Sequence, residues 1–113
     1  MCFLFGIYRP EQRQFVCGFN RDEYYDRPWE PTRYHPDKKV TSGVDLKSGG
    51  TWLAIDDDLN FCAVTNVRLS DDRKTQVSNR SRGHLCQDFF DSKQSAKIWV
   101  ASLEDRLDPN YYT

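Results

Sequence analysis

Cys2 stands directly behind the initiator Met1, and a charged tetrapeptide, Asn20-Arg21-Asp22-Glu23, follows the next apolar run. If Met1 is removed, an amine and a thiol share one residue, giving a self-contained nucleophile and base. An α-amino group with a pKa of ~7.7–8.0 is partly neutral near pH 7 and can take the thiol proton directly or through water. Cysteine needs little further activation, because a few per cent of a free thiol is already thiolate. Arg21 could hold a thiolate or a substrate carboxylate, and Asp22 could accept from the α-amine. Asn66 could donate its amide to a developing oxyanion, a contact worth ~2.7–4 kcal/mol in a transition state. Each residue also has a plain reading. A charged tetrapeptide is ordinarily a solvated loop, and an Asn at a strand end is ordinarily a turn residue.

The elements around these residues decide whether they meet. Cys2 to Tyr8 and Phe15 to Asn20 are apolar and aromatic, and the polar stretch Arg9 to Gln14 between them reads as the turn of an antiparallel hairpin. The end of the second strand then returns beside the start of the first, placing Asn20 to Asp22 next to Cys2. Near-continuous apolar strands predict burial on both faces. Val40 to Val44 reads as a short strand, and Thr51–Ile55 with Phe61–Val67 as a second hairpin across an acidic turn. The period then changes. Leu85, Cys86, Phe89 and Phe90 recur at helical spacing, as do Ala96, Trp99, Val100, Leu103 and Leu107. Ser92 or Ser95 can cap the second helix and Pro109 can stop it. The expected class is α+β, with antiparallel strands followed by amphipathic helices. Trp29, Tyr24, Tyr25 and Tyr34 fall outside the expected strands, as ligand walls or as cover for a sheet edge.

At 113 residues the chain fits one domain with a modest core. Sixteen basic and 17 acidic residues are interspersed, so no footprint for nucleic acid or an anionic membrane is visible. No apolar run approaches the ~20 residues of a membrane span, and the N-terminus lacks the layout of a signal peptide. The expectation is a cytoplasmic protein that is not transmembrane. The cysteines at 2, 17, 62 and 86 have no zinc or haem-attachment spacing, so no metal site is expected. Cys17, Cys62 and Cys86 sit among apolar neighbours, as reduced core cysteines do. His84, near a helix start, reads as a capping or surface residue rather than a haem ligand.

Several short motifs occur in order: Met1-Cys2-Phe3-Leu4-Phe5, Asn20-Arg21-Asp22-Glu23 with Tyr25 and Arg27-Pro28, Ser42-Gly43-Val44-Asp45-Leu46, Gly49-Gly50-Thr51-Trp52-Leu53, Ala63-Val64-Thr65-Asn66 and Ser81-Arg82-Gly83-His84-Leu85. The series resembles the NRDE family, whose eukaryotic members are the transport and Golgi organisation protein 2 group. The resemblance implies the N-terminal part of an Ntn-hydrolase-like αββα sandwich. It also implies that residues 1–113 are an incomplete domain whose C-terminal half is absent. By position, Cys2 matches the family's N-terminal nucleophile. Arg21 and Asp22 match the pair that assists the cysteine in related amidases, and Asn66 resembles their oxyanion-side Asn. Asn20, Arg21, Asp22 and Glu23 would then contact a ligand. The group implies intracellular handling of haem or of acyl-CoA and lipid, with haem as cargo rather than a required cofactor and with mitochondrial or Golgi/ER association. The alternative is an N-terminal cysteine amidohydrolase acting on a non-peptide C–N bond.

Overall fold

A computed structural model describes residues 2–65 and 80–106. The expected hairpin is present: β1 (Phe3–Arg9) pairs antiparallel with β2 (Gln14–Asn20), Phe3 opposite Asn20 and Arg9 opposite Gln14. A short 3-10 turn over Pro10–Gln12 closes it, and Arg13 takes the left-handed conformation that reverses the chain. Two glycines set its surface. The Phe5 ring lies over Gly18, where a Cβ would come within 2.4 Å of it, and the Phe15 ring covers Gly6 in the same way. Each aromatic thus packs on bare backbone across the pair.

The expected burial of this hairpin on both faces is not found. Every residue of β1 is exposed, with Phe3 62% and Ile7 56% accessible. The two strands form a sheet of their own. Among its contacts with the rest of the protein, the Phe15 ring lies 5.8 Å from that of Phe61, and Arg21, just beyond β2, lies 4.5 Å from the Trp52 ring centre. Its apolar residues were therefore read correctly as strand and incorrectly as core.

The second sheet has four antiparallel strands in the order β3 (Trp29–His35), β4 (Val40–Asp45), β5 (Leu53–Asp56) and β6 (Phe61–Ala63). β3 was not expected, and it places Trp29 and Tyr34 in a strand rather than a loop. It is an edge strand, where Pro31 removes no ladder bond that the sheet needs, and its register shifts between Glu30 and Arg33. Tyr34 ties the edge inward by donating to Asp57 at 3.0 Å. β5 and β6 form the second expected hairpin with shifted limits, beginning at Leu53 and ending at Ala63.

Helices α1 (Gly83–Ser92) and α2 (Ala96–Arg106) follow the sheets. Period two in the strands separates the two faces of the second sheet. Val40, Ala54 and Cys62 turn toward the helices and meet Phe89, Phe90, Trp99 and Leu103 in the core. Phe61 lies on the other face, toward the hairpin. Phe89 stacks edge-on with Phe90 at 4.9 Å and leans on Trp99 at 6.1 Å. Ser95 caps α2, its Oγ accepting from the Ile98 amide at 3.4 Å. In α2 the expected apolar face narrows to Trp99 and Leu103, because Ala96 and Val100 are exposed. Leu107 and Pro109 lie outside the described residues. The class is α+β, with antiparallel sheets followed by two helices. Among the described residues no helix is long and apolar enough to cross a membrane.

Candidate functional site

The pairing of Phe3 with Asn20 leaves Cys2 and Arg21 at the open end of the hairpin. Both line a cavity of about 150 Å³, together with Glu23 and Arg27 from the segment beyond β2 and Asp45 at the end of β4. The opposite wall is Gly50 to Trp52 and the approach to α1, Ser81 to Gly83. Cys2 is half-buried there as a free thiol. Of the tetrapeptide, the fold brings Arg21 and Glu23 to the cavity, whereas Asn20 and Asp22 are exposed and do not line it. Asn66 lies outside the described residues.

Asp45 is the electrostatic centre of the site, a part that motif position and spacing did not reveal. Its Oδ2 accepts from Arg27 Nε at 2.8 Å and lies 2.7 Å from Arg27 Nη2, with Arg21 Nη2 at 3.6 Å. Its Oδ1 accepts from the amides of Lys47 and Ser48 at 3.0 and 3.3 Å, closing the turn after β4. Gly49 completes that turn at φ 73°, its amide donating to the Asp45 carbonyl at 2.7 Å. Burial works to raise the Asp45 pKa, but the Arg27 hydrogen bond and charge, with the two amides, outweigh it and hold the carboxyl below its usual range. Arg27 is raised in turn, first by its bond to Asp45. It also donates to Ser48 Oγ at 2.8 Å and lies 3.8 Å from Glu23.

Gly83 admits α1 to this wall. The Thr51 amide donates to the Gly83 carbonyl at 3.2 Å, and a Cβ on Gly50 would come within 2.7 Å of the Gly83 carbonyl carbon. Two glycines therefore let the start of a helix touch the start of a strand. Gln87, one turn on, donates to the Gly49 carbonyl at 2.7 Å. His84 is partly at the surface, as expected, and its side chain makes no capping hydrogen bond among the described residues. It is half-buried behind Gly49, and its Nδ1 is buried with no hydrogen-bond partner among the described residues.

Three arginines (21, 27 and 82) and two carboxylates (23 and 45) line the cavity, so its charge is net positive. Arg27 is committed to Asp45 and Ser48, and Arg21 shares Asp45 at the longer distance of 3.6 Å, so Arg21 and Arg82 are the cations better placed to meet an anion in the cavity that Cys2 also lines. A second concavity of about 330 Å³ lies on the helix side of the four-stranded sheet, floored by Val40, Ser42, Ala54 and Phe90. Its lining contains no cysteine, whereas Cys2 lines the smaller cavity. Among the described residues no cluster of His, Cys, Asp and Glu is placed to hold a metal ion.

Fold and site together define an α+β protein of antiparallel strands followed by helices, with a thiol and arginines gathered in a polar cavity at its N-terminus. The chain belongs to the Transport and Golgi organisation 2 family, whose sequence pattern matches residues 1–111. It is 31% identical over 112 residues to the Transport and Golgi organization protein 2 homolog of Bos taurus, covering 91% of this chain and 40% of that protein. It is 30% identical over 112 residues to the Mus musculus homolog, with the same coverage, and 29% identical over 118 residues to the Homo sapiens homolog, covering 95% of this chain and 42% of that protein. The chain thus spans about two-fifths of the length of these curated relatives. No solved structure matches it.

Proposed function

We propose that the protein is an intracellular trafficking or homeostasis factor of the transport and Golgi organisation type, binding haem or an acyl-CoA or related lipid at the Cys2 cavity. The observation that carries this reading is the placement of Arg21 and Arg82 around one small polar cavity whose carboxylate Asp45 is bonded mainly to Arg27, with Arg21 at the longer 3.6 Å. A cavity of 150 Å³ is smaller than the ~300–1,000 Å³ pockets that enclose whole ligands. It suits the anionic end of a larger molecule, a propionate of haem or a phosphate of an acyl-CoA. The apolar remainder would lie over the exposed aromatic hairpin, where Phe3 and Phe5 are more than half accessible. Action in the cytoplasm, with mitochondrial or Golgi/ER association, belongs to the same proposal.

A second reading, an N-terminal cysteine amidohydrolase on the Ntn-hydrolase-like scaffold, is favoured by the half-buried Cys2 thiol sharing that cavity with Arg21. The readings separate at Cys2. Saturable binding of haem or an acyl-CoA that survives Cys2→Ala supports the binder. Removal of Met1, seen by intact mass on protein from its native cells, with amide turnover lost in Cys2→Ala, supports the hydrolase. Absence of both binding and turnover overturns the site.

A further inference from the structure

The edge strands of the two sheets are not alike. In the four-stranded sheet one edge is β6, only three residues long, and the other is β3, which carries Glu30, Pro31 and Arg33 and an irregular register between Glu30 and Arg33. Short length, proline, charge and a bulge are the devices that keep an edge from pairing with another chain. β1 has none of them. From Phe3 to Tyr8 it holds no charge and no proline, its register with β2 runs unbroken from Phe3 to Arg9, and among the described residues it pairs with β2 alone. β2 is the inner strand of the hairpin, because Cys17, Gly18 and Phe19 are half-buried, whereas every residue of β1 is exposed. A strand in that position offers its outward amides and carbonyls to another chain. A sheet of two strands is also marginal by itself, and three or more with an apolar face are needed for independent stability.

We propose that β1 pairs antiparallel with β1 of a second copy of this chain about a two-fold axis at Gly6, making one four-stranded sheet from two hairpins. The strand is complementary to itself in that register. Gly6 meets Gly6, and Phe5 lies opposite Ile7, Leu4 opposite Tyr8 and Phe3 opposite Arg9 of the other copy. Aromatic side chains facing aliphatic ones are favourable cross-strand pairs. The one charge of the strand, Arg9, faces a phenyl ring and never its own copy, so no like charges meet. Phe3, Phe5 and Tyr8, at 62, 54 and 64% accessible, expose roughly 300–450 Å² of ring surface per copy. Two copies bring roughly 600–900 Å² to the junction before Leu4, Ile7 and the backbone are counted, near the ~1,200 Å² at which specific interfaces begin. The dimer is therefore weak and concentration-dependent. Edge pairing leaves the outer face of the hairpin open, so it depends on neither reading of the Cys2 cavity.

Sedimentation equilibrium of the whole chain over a range of concentrations tests this, with the four cysteines kept reduced. A reversible monomer–dimer equilibrium is expected. Phe5→Lys with Ile7→Lys sets like charges opposite each other twice across the junction, at positions already exposed, and should weaken the dimer at least about tenfold. Phe5→Lys with Ile7→Glu sets opposite charges there and should restore much of the loss. Deuterium exchange on the wild-type chain is independent of how any variant folds: β1 amides should exchange more slowly at high concentration than at low, and β3 amides at the same rate in both. A monomer at every concentration would overturn the proposal. So would a dimer that both double variants weaken equally, since the register would then not matter, or concentration-dependent protection on β3 or α2 in place of β1.

Discussion

Asp45 Oδ2 lies 2.7 Å from Arg27 Nη2, and this pair holds the end of β4 against the segment that follows β2. Both side chains are largely shielded, at 14% and 23% accessible, and the remaining carboxylate oxygen is occupied by two backbone amides. Removing one partner leaves a charge with poor access to water. Arg27→Ala should lower stability by roughly 1.5–3 kcal/mol, the range for hydrogen bonds to charged groups. Denaturant unfolding measures it, and a loss below about 0.5 kcal/mol would show the pair to be an ordinary surface contact.

The same carboxylate makes the fold acid-sensitive. Its pKa is lower in the folded chain than the ~3.9 of an unfolded Asp. As pH falls through about 4, the unfolded chain therefore takes up this proton first, and stability drops until the folded carboxyl is protonated too. Above that window the contribution is fully present. Tm measured from pH 6 downward should fall more steeply below pH ~4 in the wild-type chain than in Asp45→Asn; parallel curves would remove Asp45 from the acid response.

Trp99 closes the small core, 7% accessible and against Phe89. Trp99→Ala should cost about 3–5 kcal/mol, read as a large fall in Tm. The neighbouring Val100→Ala, at a position 61% exposed, should change stability by no more than about 0.5 kcal/mol. Equal effects at the two positions would contradict the packing of α2.

Gly50→Ala should be tolerated poorly, because the added Cβ meets the Gly83 backbone at 2.7 to 2.8 Å, and no flexible side chain can move aside. A cost of about 1–3 kcal/mol is expected. Gly49→Ala forces a left-handed φ of 73° on a residue with a Cβ but meets only the His84 ring at 3.8 Å, so its cost is one of conformation rather than contact. A crystal structure of Gly50→Ala with α1 unshifted would refute the close approach.

Much of this architecture is visible in the residue pattern, and the failures have physical reasons. The β1–β2 hairpin and both helices follow from apolar period and turn composition. β3 was missed because Trp29-Glu30-Pro31-Thr32-Arg33-Tyr34-His35 carries a proline and charges that only an edge strand with an irregular register accommodates. Burial of β1 was misread because an apolar run reports strand and layer together, and among the described residues no layer covers its outer face. Cys2 with Arg21 was legible as a hairpin consequence. Asp45 was not, since its grip on Arg27 joins residues that no local period connects.

The tetrapeptide itself now divides. Arg21 lies in the cavity, its guanidinium over Trp52 and 3.6 Å from Asp45, whereas Asp22 is exposed and outside the lining. Arg21→Ala removes one of the three arginines that line the cavity with Cys2, as well as a cation–π contact worth ~0.5–2 kcal/mol. Arg21→Lys keeps the charge and most of that contact but loses the planar fork that meets a carboxylate or phosphate with two parallel bonds. If the cavity takes the anionic end of haem or an acyl-CoA, Arg21→Ala should weaken binding at least about tenfold, ~1.4 kcal/mol, and Arg21→Lys should fall between it and wild type. Asp22→Ala should stay within about twofold of wild type, the scatter of surface substitutions. Calorimetric titration of both ligands into the three variants, each checked for unchanged Tm or corrected for its loss, measures this. Equal affinities for wild type and Arg21→Ala would place the ligand elsewhere, and a larger loss in Asp22→Ala than in Arg21→Ala would mean that the exposed carboxylate, not the cavity cation, orients it.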